Sequence, residues 1–162
     1  MMNYITSNDE IVELTNRSDH YPDMMLYSYL VRPKKGSVKE YYSEDKETLI
    51  LLQEGSLTLS YEGKEETITR GNVFDDAPVG LLFPAKVKVE VKVNEDSEYL
   101  LIMTENDKTY DTTLFTKDNV IVVDRGAGQW NDCATRNVRT MVDYKINPNS
   151  NLAFGETVNY PG

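Results

Sequence analysis

The stretch that most constrains this chain is Lys86 to Val93, KVKVEVKV. In an extended backbone Val87, Val89, Val91 and Val93 share one face, and Lys86, Lys88, Glu90 and Lys92 share the other. Such a segment lays one face on a core and leaves the other in water. The chain must therefore build an antiparallel sheet with a solvated side. Glycine and proline punctuate short apolar runs on either side of it, the pattern of an all-β domain.

Met24 to Val31 is the first expected strand, ended by Pro33-Lys34-Lys35-Gly36. Thr48 to Leu52 (TLILL) is apolar nearly throughout and reads as a strand buried on both faces. Glu54-Gly55 reads as a turn into Leu57, Leu59 and Tyr61, which alternate with Thr58 and Ser60. Glu62-Gly63 then makes a hairpin into Glu65 to Thr69. Val79 to Phe83 and Glu98 to Thr104 flank the alternating segment. Ser7 to Thr15 shows at most one short helical turn. About eight short strands joined by Gly- and Asp-rich turns predict a double-sheet roll or barrel.

The expected organisation is an N-terminal arm (1–23), a β-roll (24–104), a polar linker or long loop (105–118) and a group of further strands (119–162). In the last group Val120 to Val123 precedes a glycine-rich loop, Asp124 to Asn137. Val138, Thr140, Val142, Tyr144 and Ile146 then alternate with Arg139, Met141, Asp143 and Lys145 before Leu152 to Val158.

Composition narrows the chemistry. Acidic residues number 27 against 17 basic, a net charge of −10, which repels phosphate backbones and anionic lipid. Nucleic acid and membrane are therefore not expected partners. No run of about 18 apolar residues and no basic-then-apolar leader is visible, so a cytoplasmic protein is expected. The single cysteine, Cys133, allows no intrachain disulfide. The single histidine, His20, excludes multi-histidine metal sites and reads as a surface or packing residue.

Asp75-Asp76 sits at a turn, where aspartates bond the backbone, and is not expected to bind metal. Cys133 beside Arg136 or Arg139 is a weak nucleophile candidate without a base. Arg125-Gly126-Ala127-Gly128 lacks the dinucleotide pattern and reads as a tight turn with positive φ at the glycines. Yet Arg125, Trp130, Arg136 and Arg139 crowd one loop of an acidic chain. Arginine grips carboxylates bidentately, so these four are the candidate substrate-binding residues for a small organic acid. The eleven tyrosines read mainly as strand formers.

Two stretches carry a family resemblance. Thr48 to Val93 resembles the first half of a bicupin. VDRGAGQWNDCATRNVRTMVDYKI and NLAFGETVNYPG, within Val123 to Gly162, are more specifically similar to 5-deoxy-glucuronate isomerase of inositol catabolism. The shared pattern is a strand, an R-G-x-G loop, a later R-x-V, then a strand ending in an acidic residue and a P-G turn. The resemblance implies a cupin-type double-stranded β-helix, a jelly-roll-like barrel, with extra C-terminal strands.

It also implies an aldose–ketose isomerase whose base moves a proton between C2 and C1 while a divalent metal stabilises the enediolate. In that family the metal-binding histidines follow P-G, in a second cupin. This chain then corresponds to an N-terminal, metal-free half: no catalytic residue, no metal ligand and no cofactor of its own. Zn or Mn type metal would belong to the second cupin of the parent chain, its expected partner. Tyr42-Ser43-Glu44 stands near the place of a metal-binding H-x-H pair, and valines near Pro84 take the place of the last histidine. Two alternatives are a metal-free module that binds a sugar acid or mediates assembly, and a related ketol isomerase for pectin-derived uronates. If Val138 to Val158 pairs with the second half in the parent, its exposed strands favour a homodimer, strand exchange or folding back onto the roll.

Overall fold

The computed structural model describes residues 8–18 and 21–160. His20 and the Pro161-Gly162 turn lie outside them. The strands are β1 (Ile11–Thr15), β2 (Tyr27–Val31), β3 (Val38–Tyr41), β4 (Lys46–Tyr61), β5 (Lys64–Arg70), β6 (Val79–Phe83), β7 (Val89–Val93), β8 (Glu98–Glu105), β9 (Thr113–Phe115), β10 (Ile121–Arg125), β11 (Arg136–Val142) and β12 (Phe154–Asn159). No helix among the described residues is long and apolar enough to cross a membrane.

The architecture follows from β4, a 16-residue strand that belongs to both layers of the roll. Its first half lies between β8 and β6, and its second half between β5 and β7. The first layer runs β1-β2-β8-β4-β6-β9; in the second, β3 pairs β7 and both β7 and β5 flank β4. Every pairing is antiparallel. Glu54-Gly55 is thus a bend inside one strand rather than a turn between two. A register shift between Leu52 and Glu54 marks the bend, and Gly55 takes φ +112. A Cβ there would lie 2.2 Å from Ser97 Oγ and 2.7 Å from Ser97 Cα, so only glycine lets the strand cross from layer to layer.

Other segments depart from the sequence reading. Ile11–Thr15 is an edge strand on β2, not a helical turn. Val38–Tyr41 pairs with β7 although its side chains show no apolar run. Thr113–Phe115, within 105–118, pairs with β6.

Two cores result. The inner core fills the roll with Ile50, Leu52, Leu57, Leu59, Leu81, Phe83, Val89, Val91, Val93 and Tyr99. The expected alternation holds at β7, where Val89, Val91 and Val93 are buried and Glu90 and Lys92 exposed. The second core lies on the outer face of the first layer. There Leu49, Leu51, Leu82 and Ile102 meet Phe115, Val120, Met141, Val142 and Leu152 from the C-terminal part of the chain. The double-sided run Thr48 to Leu52 is therefore covered on both faces, as its composition requires. The C-terminal segment folds back onto the roll as a separate three-stranded sheet, β10-β11-β12.

Among the described residues Arg70 Nε, Thr112 Oγ1 and Thr135 Oγ1 are buried without a hydrogen-bond partner, whereas the buried carboxylate at the start of β4 is matched. Glu47, fully buried, accepts the Tyr110 hydroxyl at 2.5 Å and the Asn151 N–H at 2.7 Å. Burial, then the carboxylate beside it, pushes the Tyr110 phenol well above its ordinary range. These contacts tie the start of β4 to the β8–β9 connection and to the β11–β12 connection of the small sheet.

Gly55→Ala is expected to cost about 2–4 kcal/mol, from a positive φ and an unrelieved overlap with Ser97. Gly63→Ala, at φ +75 but in open space, is expected to cost about 1 kcal/mol. Urea denaturation midpoints of the two variants compare them directly.

Candidate functional site

The small sheet sorts the predicted arginines by parity. In its register Arg125 stands opposite Arg136, and Arg136 opposite Asn159. The next rows are Val123–Val138–Thr157 and Ile121–Thr140–Gly155. Cross-strand partners share a face, so this face carries two arginines and no carboxylate in a chain of net charge −10. Like charges directly opposite disfavour each other until an anion sits between them. Arg136 Nη1 donates to the Ala134 carbonyl at 3.1 Å. Arg125 is exposed.

The loop between these arginines is tightly wound. Gly126 has φ +82, and a Cβ on it would stand 2.0 Å from the Ala134 carbonyl oxygen. The expected tight turn with positive φ at both glycines is present. Less expected, Trp130, Asn131 and Asp132 are all left-handed, with φ of 49, 54 and 64. Side-chain-bearing residues adopt this region at a cost of about 1–3 kcal/mol each. Asp132 Oδ1 offsets part of it by accepting the Gly128 N–H at 2.6 Å. The turn holds the Trp130 indole out in solvent, 80% exposed. Cys133 is exposed, with Sγ 3.9 Å from the Asn131 carbonyl.

Arg139 corrects the sequence reading. It is out of phase with Arg136, so it faces the roll and is 9% exposed. Its Nη1 donates to the carbonyls of Val73 (3.0 Å) and Asp76 (2.8 Å), Nη2 to that of Phe74 (3.0 Å), and Nε to Asn137 Oδ1 (2.8 Å). A guanidinium so engaged shapes the β5–β6 loop and is not open to a ligand. The structure therefore brings together Arg125, Arg136 and the Trp130 loop, and separates Arg139 from them.

Sequence reasoning missed Arg70, at the end of β5. Its side chain is fully buried and grips Glu156 of β12 with both terminal nitrogens, at 2.8 and 2.7 Å. It also donates to the carbonyls of Leu52 (2.8 Å) and Asp76 (3.2 Å). The available signal was parity: Arg70 continues the buried phase of Ile68 in β5. Arg70 and Glu156 link roll to small sheet, and they determine which face of that sheet points outward.

The roll interior does not suit a divalent ion. Its polar groups include the phenols of Tyr41 and Tyr99, bonded to each other at 2.5 Å, amid Ile50, Leu52, Phe83 and Leu101. Burial pushes both phenols up, away from the anionic form that a metal would select. Tyr42, Ser43 and Glu44 lie before β4, and the exposed Tyr42 bonds its hydroxyl to Glu44 at 2.6 Å. Asp76 Oδ2 accepts the N–H groups of Gly71 and Asn72, the structural role expected of a turn aspartate. Among the described residues, no three His, Cys, Asp or Glu side chains gather in a metal-binding group.

A roll of two antiparallel layers sharing a bent strand defines a cupin-type protein. Solved structures of that kind align with it. An IolB-like protein from Salmonella typhimurium LT2 superposes with TM-score 0.67 at 17% identity, over 74% of this chain and 45% of its own. YlbA from E. coli gives 0.56 at 15%, over 88% and 60%. A putative glyoxylate-induced protein from Pseudomonas aeruginosa gives 0.54 at 13%, over 74% and 43%. This chain thus aligns with less than half the length of the IolB-like protein. Comparison with curated proteins finds no match. The KduI/IolB family model matches residues 3–162, and the chain belongs to that family. The resemblance read from the closing residues is borne out at the level of the family.

Removing one partner of the buried ion pair leaves the other charge stranded. Glu156→Ala is expected to destabilise by about 3–5 kcal/mol, and Arg125→Ala by no more than about 0.5 kcal/mol. Equilibrium urea unfolding separates the two.

Proposed function

We propose that this chain is the metal-free front cupin of a sugar-acid ketol isomerase, the parent activity being conversion of 5-deoxy-glucuronate to 5-dehydro-2-deoxy-gluconate. The observation that carries this reading is the lining of the roll interior, where the Tyr41–Tyr99 phenol pair stands among aliphatic side chains. Such a lining supports a reading in which the enediolate-stabilising metal is held outside this roll. In this reading the Zn or Mn type ion and the proton-transferring base belong to a second cupin of the parent chain, the partner of this one. Family membership over 3–162 supports the assignment to sugar-acid chemistry.

The front cupin contributes structure and a carboxylate grip. Arg125 and Arg136, opposed across two strands, present two guanidiniums to one anion. Trp130 offers a flat apolar surface beside that hairpin for a sugar ring. The same row of arginines favours, as a second reading, a sugar-acid-binding module without chemistry.

A coupled assay of this chain with 5-deoxy-glucuronate and added Zn or Mn is expected to show no turnover above trace. Sustained turnover overturns the metal-free assignment. In calorimetry with glucuronate, Arg125→Ala and Arg136→Ala are each expected to weaken binding about tenfold or more. Glucose is expected to show no difference between variants. Unchanged glucuronate affinity removes the carboxylate grip.

A further inference from the structure

A second cleft lies away from the arginine row, over the start of β4. It encloses about 430 Å³, within the range of small-molecule sites, about 300–1,000 Å³. Four segments wall it: the lead-in to β4 (Glu44, Asp45), the β6–β7 turn (Ala85, Lys86), the end of β8 with its connection to β9 (105–109), and Asn151 of the β11–β12 connection. Hydrogen bonds fix these walls to one another. The Asn106 N–H donates to the Asp45 carbonyl at 2.9 Å, and the Lys86 N–H to the Ser43 carbonyl at 2.7 Å. Asn151 Nδ2 donates to the Glu105 carbonyl at 2.9 Å. The cleft thus belongs to the seam between roll and small sheet, at the opposite end of β12 from Tyr160.

The charges of the cleft cancel. Asp45 pairs with Lys46 at 2.9 Å, and Glu105 pairs with Arg17. Glu44 and Asp107 are matched in number by Lys86 and Lys108. A cation meets ammonium groups here and an anion meets carboxylates, so neither has a net field to draw it in. What stays open is hydrogen-bonding capacity. The side chains of Lys86, Asp107, Lys108 and Thr109 have no partner among the described residues. At the floor, Asn106 is 3% exposed. Its Nδ2 donates to the Asn149 carbonyl at 2.7 Å, and its Oδ1 accepts the Lys108 N–H at 2.9 Å. A side-chain amide has two N–H donors and two acceptor lone pairs, so Asn106 keeps one of each. Spare capacity on a buried amide is costly to leave unmet.

We infer that this cleft binds a neutral polyhydroxylated ligand of monosaccharide size. Ammonium groups only donate and carboxylates only accept, whereas a hydroxyl does both. Adjacent hydroxyls therefore donate to Asp107 and accept from Lys86 or Lys108. The spare N–H and lone pair of Asn106 address two neighbouring hydroxyls at once. Such a ligand carries no charge of its own, which suits a cleft whose charges are already matched. It spans the β4 lead-in and the β8–β9 connection, and so reinforces the seam.

This inference is independent of the proposed isomerase reading and of the arginine row. An amide-resolved NMR titration of the full 162-residue chain with D-glucose, D-galactose, D-mannitol and xylitol tests it. At least one of these is expected to shift the amides of 85–86 and 105–109 and the Asn106 side-chain amide saturably at millimolar concentration, with those of 125–136 unmoved. Asp107→Ala, at an exposed position, is expected to weaken that binding about tenfold, and Arg125→Ala to leave it unchanged. The titration of the unaltered chain decides the question if the Asp107 variant fails to fold. No saturable shift in the cleft with any of the four overturns the inference. So does an equal shift of the same amides by calcium chloride or sodium phosphate, which marks an ion site, or an Asp107→Ala variant that binds as tightly as the unaltered chain.

Discussion

Everything in this structure depends on β4 being apolar on both faces where it crosses the first layer. Ile50 and Leu52 point into the roll, and Leu49 and Leu51 point out of it. A roll alone covers only the inner set. The outer set, with Leu82 and Ile102 from the flanking strands, would meet water at a cost of about 1.5–3 kcal/mol per side chain. The C-terminal segment supplies the missing cover through Phe115, Val120, Met141, Val142 and Leu152. The small sheet is therefore a second layer required by the sequence of β4, not an appendage.

Apolar contact leaves the orientation of that layer loosely specified, and buried charge specifies it. Arg70 and Glu156 can meet bidentately only with one face of β12 toward the roll. Arg139, on that same face, organises the β5–β6 loop through three carbonyls. With those side chains inward, the alternation of a strand leaves Arg125, Arg136, Val138 and Thr157 outward. The outward face thus combines two cations with small apolar and hydroxyl residues, and its position follows from the ion pair beneath it. Its use in gripping a sugar acid belongs to the proposed reading of this family member.

The all-β class, the double burial of Thr48 to Leu52 and the two faces of Val89 to Val93 were legible because strand periodicity records burial directly; the first half of KVKVEVKV is instead a turn, with Lys86 at φ 70. The continuity of β4 was not, because Glu54-Gly55 has turn chemistry; only the approach of Ser97 shows that the glycine serves a bend. β3 was hidden because a strand exposed at half its positions has no apolar signature. At the candidate site, crowding in sequence suggested four cooperating residues. Parity was the better guide: Arg139 shares its phase with the buried Met141, and Arg136 does not. Arg70 escaped notice because its partner lies 86 residues away in sequence.

The central claim is that roll and small sheet are one cooperative body held by the outer core and the Arg70–Glu156 pair. Native-state hydrogen exchange tests it most directly. The account predicts that the inward-bonded amides of β11 and β12 exchange with the same opening free energy, and the same denaturant dependence, as those of β4. Exchange of β11 and β12 through a separate opening several kcal/mol below that of β4 would contradict it.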